Sequence, residues 1–294
     1  MKKVTFTALF SLVLWVGTLS AQFSMGALSM PGRESKKTPI DKLQFIIQYE
    51  MAFVQDISKP DEVTEETMIL KVGERTSQFY SYTKFVSDSL FRIQMAQSDG
   101  IMMRRESSGS GGGSANQGQV NYQIYKNHPA GKVTTLERIG PSQFRCEETN
   151  VCPEWQVLPD TATILNYLCY KATTHFKGRD YTAWFTLQIP RSEGPWKLCG
   201  LPGLILYAAD SRQHYVFECT GLLNARPDET IDYGADTFEP VSRQALNRTY
   251  ERFAADPIGY ITASSPNIQV RFRNAEGSDI KPTNIPYNPI ELSE

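Results

Sequence analysis

The sequence predicts a mainly β protein, an antiparallel meander forming a curved sheet or partly open barrel with a C-terminal helix packed on it. Three observations carry this. Apolar side chains alternate from Leu43 to Phe53, every odd position being Leu, Phe, Ile, Tyr or Met. Two adjacent hairpin patterns lie between Tyr167 and Leu222. No regular alternation with helices of ten or more residues supplies the crossovers that parallel strands need.

Taken from the N-terminus, Lys2 and Lys3, the apolar stretch Val4 to Val16 and the small-residue run Thr18-Leu19-Ser20-Ala21 read as a secretory signal cleaved after Ala21. No cysteine follows that region, which argues against lipid attachment. Residues 22–37 are expected to be a flexible tail and residues 38–294 a single β-rich domain. Leu43 to Phe53 opens the meander. Further strands are expected at Thr67–Val72, Ser77–Tyr82, Leu90–Met95, Gln119–Lys126, Lys132–Ile139, Phe144–Glu148, Trp155–Leu158 and Ile268–Phe272. Asp61 to Glu66 suits one helical turn, with Asp61 as cap. The Gly/Ser-rich stretch 107–118 buries no apolar surface and is expected to be a mobile loop; it lacks the Lys-Ser/Thr of a phosphate loop. Glu239-Pro240 is expected to start a helix with Leu246, Tyr250 and Phe253 on one face, and Asp256-Pro257 to stop it.

In the first hairpin, Gly178-Arg179 at the centre of a type II′ turn would set Phe176 opposite Tyr181, Thr174 opposite Ala183 and Ala172 opposite Phe185, giving one apolar face. The other face carries Lys171, Thr173, His175, Thr182 and Trp184. In the second hairpin, Asp210-Ser211-Arg212-Gln213 is the expected turn, with Ala208 opposite Tyr215 and Leu206 opposite Phe217. Leu204 to Tyr207 is apolar on both faces and so belongs to an interior strand. Gly200-Leu201-Pro202-Gly203 forms a bend leading into it, because Pro202 cannot donate to a ladder.

Cys169-Tyr170-Lys171-Ala172, then Phe176 to Phe185, Ile189-Pro190, Gly194-Pro195-Trp196-Lys197-Leu198-Cys199 and finally Gly200-Leu201-Pro202-Gly203-Leu204-Ile205 occur in order over 37 residues. This run resembles the GLPGLI family of exported Bacteroidota envelope proteins. The resemblance implies a periplasmic or secreted setting, for some members beside outer-membrane TonB-dependent transporters. It brings no activity.

The chemistry that residues alone disclose is sparse. The formal charge of −2 becomes about −4 once Lys2 and Lys3 leave with the signal, which offers no basic field for nucleic acid or anionic lipid. No later apolar run is long enough for a membrane-spanning helix. Three histidines without metal spacing assign no metal, and no cofactor motif or serine elbow is present. Five cysteines in an exported chain suggest disulfides, the expected pair being Cys146 with Cys152 around a polar loop. No catalytic residue is assigned.

Binding candidates are Trp184, whose ring the register places on a polar face beside Lys171 and Thr173, with Arg179 at the turn, where an exposed, solvated tip is the default expectation, and Trp196 as the ring that would otherwise cover Trp184. The sequence reading is a non-catalytic binding or accessory module, with an outer-membrane transporter as a candidate partner. The alternatives are an enzyme using acidic residues or Cys169, and a carrier of a hydrophobic ligand on a concave sheet face.

Overall fold

The computed structural model describes residues 35–97, 119–264, 272–273, 279–280 and 284–292. The signal segment, the stretch 107–118 and residues 268–271 of the expected final strand lie outside them. Of the expected tail, residues 35–37 are docked: Ser35 is buried against Thr237, and the Lys36 amide donates to Asp236 at 3.0 Å.

The centre of the molecule is the long strand β1 (Thr38–Val54). On one side it pairs with β2 (Val63–Gly73), and the sheet continues through β3 (Ser77–Ser81), β4 (Tyr122–Lys126), β5 (Lys132–Ile139) and β6 (Ser142–Thr149). On the other side it pairs with β11 (Tyr215–Asn224), followed by β10 (Leu204–Asp210), β9 (Arg179–Thr186), β8 (Tyr167–Phe176) and β7 (Gln156–Ile164). β12 (Thr230–Tyr233) pairs with the start of β1. β13 (Glu239–Val241) joins β6 in parallel, so the sheet is mixed. A short ribbon of β14 (Phe272–Arg273) and β15 (Asp279–Ile280) stands apart. Among the described residues there are three helices, α1 (Tyr82–Gln97), α2 (Arg243–Ala255) and α3 (Pro257–Ser264).

The thirteen strands do not close into a barrel, because β7 and β13 end the ladder on opposite sides. The sheet is nevertheless curved. The rings of Phe79 on β3 and Phe217 on β11 meet at 6.2 Å although two strands lie between them. A flat sheet, at about 4.8 Å per strand, would hold them roughly 14 Å apart. Tyr49 reaches across the same interior and donates to the Ile205 carbonyl at 2.7 Å. The concave side is filled by residues 187–203, α2 and residues 284–292.

Side-chain parity holds where the turn does not. Phe176, Tyr181, Ala172, Ala183 and Phe185 are all buried on one face. The turn, however, is Lys177-Gly178, with φ of 52° and 75°, so that Phe176 pairs with Arg179 and Thr174 with Tyr181. Positive φ at both central positions is the type I′ geometry, whose twist suits the strands better than the expected centre at Gly178-Arg179. The register moves by two residues, which leaves every side chain on its face. The second hairpin is displaced likewise, with Ala208 opposite Phe217.

Four local expectations are corrected. Leu90–Met95 lies within α1, which Ser81 starts by accepting from the Lys84 amide at 2.8 Å. From Phe85 through Leu90 and Ile93 the apolar spacing is three to five, not two. Asp61–Glu66 forms no helical turn, since pairing of Val63 with Val54 and Glu65 with Ala52 draws the segment into β2. Glu239-Pro240 lies in β13, and α2 begins later, where Ser242 caps it by accepting from Ala245 at 3.2 Å. The disulfide is Cys152–Cys199, with Cα atoms 5.2 Å apart. Cys146 is free, because the supposed loop after it is extended β6 as far as Thr149. Strand at about 3.3 Å per residue carries the two cysteines too far apart to bond.

Candidate functional site

The five residues singled out from sequence divide between the two faces of the sheet. Lys171 pairs with Trp184, Trp184 with Tyr207, and Thr173 with Thr182, forming a half-buried patch on the convex side. Trp196 lies on the concave side, against Phe176 at 5.8 Å and Tyr181 at 6.1 Å, so it does not cover Trp184. Arg179 is no solvated turn residue. It opens β9 at 4% exposure, pairs with Asp210 at 2.8 Å, and donates to Asn288 Oδ1 and to the carbonyls of Pro289 and Ile290.

Arg179 thereby fastens residues 284–292 over the concave face. Tyr215 donates to the Asn288 carbonyl at 2.5 Å, and the Asn288 amide donates to the Val54 carbonyl at 2.7 Å. Beneath this segment is a half-open cavity of about 130 Å³, walled by β1, β4, β5, β11 and α2. Its walls are aromatic, with Phe53, Tyr122, Trp196, Tyr215, Tyr250 and Tyr287. Polar groups are set among them: Gln119, Glu137, Arg243 and Asn247. Arg243, Asn247 and Tyr250 face it together because they stand at i, i+4 and i+7 of α2.

Glu137 is the decisive group. On β5 it shares a side with Val133 and Ile139, in a row that is otherwise uncharged. It is 4% exposed, and one of its oxygens accepts a hydrogen bond from Tyr250. Burial pushes its pKa up to about 7, against the opposing pull of that hydrogen bond and of the Arg243 and Lys197 charges. Next to it, Glu148 and Glu291 are tied to Lys197 at 2.6 Å each, while Arg243 reaches Glu148 at 2.7 Å and Glu291 at 3.7 Å. Lys177 completes the cluster at 3.3 Å from Glu148. Burial would raise Glu148 too, but the charges and hydrogen bonds of Lys197 and Arg243 outweigh it and bring Glu148 down to about 2.

Two carboxyl groups in one cluster are thus held far apart in acidity by their surroundings. The sequence signal for Glu137 is the odd-position row of the Lys132–Ile139 strand, which places a lone acid beside Val133 and Ile139. Cys169 has the opposite character to an activated nucleophile, since burial pushes its thiol up. Among the described residues no group of three or more His, Cys, Asp or Glu is placed to hold a metal ion, and no helix is long and apolar enough to cross a membrane.

A pH dependence follows from Glu137. In the unfolded chain it ionises near 4.5, and in the fold near 7. Between these values the folded state binds more protons, so stability falls as pH rises through the window and the full cost is present above about 7. Glu137→Gln keeps an acceptor for Tyr250 and removes that cost, the groups facing it being Tyr250 and Arg243 from α2, Lys197 from residues 187–203, and Glu291. Urea unfolding is expected to find the variant about 3 kcal/mol more stable than the parent at pH 8 and nearly equal at pH 4.5. The same difference at both pH values would mean that Glu137 ionises normally.

Comparison with known proteins adds one short match. Residues 176–207 match a family described as "Protein of unknown function (Porph_ging)". That stretch runs from the end of β8 into β10 and includes Arg179, Trp184 and Trp196. No curated protein matches the chain. Among solved structures, PNGF-II in its P21 and C2 crystal forms is similar, with TM-scores of 0.45 and 0.43 and identities of 12% and 14%. Each similarity covers 70% of this chain and 32% of the PNGF-II chain, so this chain spans about a third of that protein's length.

Proposed function

We propose that this is a GLPGLI-type envelope protein, periplasmic or secreted, that acts as a binding module holding a small ligand in the cavity under residues 284–292. One observation carries the reading: the buried carboxyl of Glu137 faces an aromatic-walled space rather than a packed core. A buried acid is costly unless its hydrogen bonds are met, and Glu137 has a single partner among the described residues. Binding is favoured over acid–base catalysis because Glu148 and Glu291, the neighbouring carboxylates, are each held by Lys197 and Arg243. A long hydrophobic cargo is disfavoured by the filled concave face. An outer-membrane transporter is the proposed partner, with the convex patch of Lys171, Trp184 and Tyr207 as the surface offered to it.

The test is recovery of the tagged, exported protein from its host's envelope, followed by extraction of bound small molecules. A compound carried by the parent and lost from Asn247→Trp, which fills the cavity, is the expected result, provided both unfold at similar urea concentrations. Identical extracts from the two proteins would sink the reading.

A further inference from the structure

We infer that the cavity takes one neutral, polyhydroxyl six-membered ring, a single saccharide unit, with hydroxyl groups donating to Glu137 and Gln119 and a C–H face against the aromatic wall. The inference rests on the reading of this cavity as a ligand site and specifies what it recognises.

Size comes first. A space of about 130 Å³ is close to the roughly 150 Å³ cavity that admits benzene in another protein, so one ring fits and an acyl chain or peptide does not. Polarity then selects the kind of ring. Among the described residues Gln119 Oε1 is buried without a hydrogen-bond partner, and Glu137 has only Tyr250. Both unmet groups are acceptors when Glu137 is ionised, so the occupant must donate. A purely apolar ring would cover both of them and leave each unpaired.

Charge decides among donors. With Glu137 ionised the cluster is neutral, Lys177, Lys197 and Arg243 standing against Glu137, Glu148 and Glu291. Arg243 itself lines the cavity. An ammonium ligand would therefore bring an uncompensated charge into the cavity beside Arg243. An anion brings no donors for Gln119. Neutral hydroxyls remain, and the tyrosine hydroxyls and the Asn247 amide on the same walls suit them, being able both to give and to accept.

The experiment is calorimetric titration of the mature chain with glucose, galactose, mannose and N-acetylglucosamine, and with phenol, uracil and choline as probes of other chemistry. Saturable binding of at least one sugar is expected, weakened tenfold or more by Glu137→Gln and by Gln119→Leu, and abolished by Asn247→Trp. Binding of phenol, uracil or choline with no sugar bound would overturn the saccharide assignment while leaving the cavity as a ligand site. Sugar binding that survives all three substitutions would place the sugar elsewhere and overturn it too. If no probe binds but envelope extraction yields a compound lost from Asn247→Trp, the saccharide inference alone fails; if neither experiment yields a ligand, both readings fail.

Discussion

Arg179→Ala is expected to lower stability by about 3–5 kcal/mol, seen as a fall in the urea midpoint, because it strands a buried carboxylate. Arg179 and Asp210 have side chains 3% and 2% exposed and are 2.8 Å apart. Asp210 has one further support, the Tyr215 amide at 2.8 Å, which cannot replace a full charge. The loss also reaches residues 284–292, where Arg179 holds the Asn288 side chain and two carbonyls. Arg179→Lys is expected to recover only part of the stability, since one ammonium cannot span Asp210 and three acceptors on the covering segment at once. Full recovery by lysine would show that charge alone matters there and that the covering segment is held by other contacts. The double change Arg179→Met with Asp210→Leu should be less harmful than Arg179→Ala, because it removes both charges together.

The history of Arg179 shows what the sequence discloses and what it withholds. The two-residue period of a strand is legible, so the buried face of Phe176, Ala172, Ala183 and Phe185 follows from the sequence even though the turn lies one residue earlier than its glycine suggests. Lys177-Gly178 and Gly178-Arg179 both offer a glycine, and only backbone angles distinguish them. That single step moves Arg179 from an exposed tip to the first rung of a ladder. Its partner Asp210 belongs to the next hairpin, at a separation no periodicity encodes. Glu137 gives the same lesson from the other direction. Its place in an uncharged row could be read from Val133 and Ile139. Its meaning could not, because Tyr250 lies 113 residues away on a helix whose docking depends on the curvature of the whole sheet.

The disulfide failed for a related reason. Nearness in sequence makes Cys146 and Cys152 plausible partners, but β6 continues past Cys146 as far as Thr149. Cys199 becomes available to Cys152 only because residues 187–203 fold back over the concave face. Lys126 helps to hold them there, donating to the Gly194 carbonyl at 2.8 Å and pairing with Glu193 at 2.5 Å. The Trp155 indole donates to the Cys199 carbonyl at 2.7 Å from the other side. The sequence did identify the bend at Gly200 to Gly203, since glycine and proline at a strand start have few other uses.

That bend supplies the most severe expected effect of a single methyl group. A Cβ placed on Gly203 would lie 2.0 Å from the Thr186 carbonyl oxygen and 2.7 Å from its carbon, both main-chain atoms of β9. No rotamer relieves such a clash. The strands must part where Leu204 pairs with Thr186, and Leu204, Ile205 and Leu206 behind it are almost wholly buried. Gly203→Ala is therefore expected to cost more than about 4 kcal/mol, in the range reserved for disrupted cores, and to leave little folded protein in the soluble fraction. Gly131→Ala is the proper comparison. Its φ of +74° disfavours a side chain, but nothing lies within 4 Å of the added carbon, so the expected cost is about 1–2 kcal/mol. If the two variants unfolded at similar urea concentrations, close approach of β9 and β10 would not be the reason for glycine at 203, and the motif would need an explanation in binding instead.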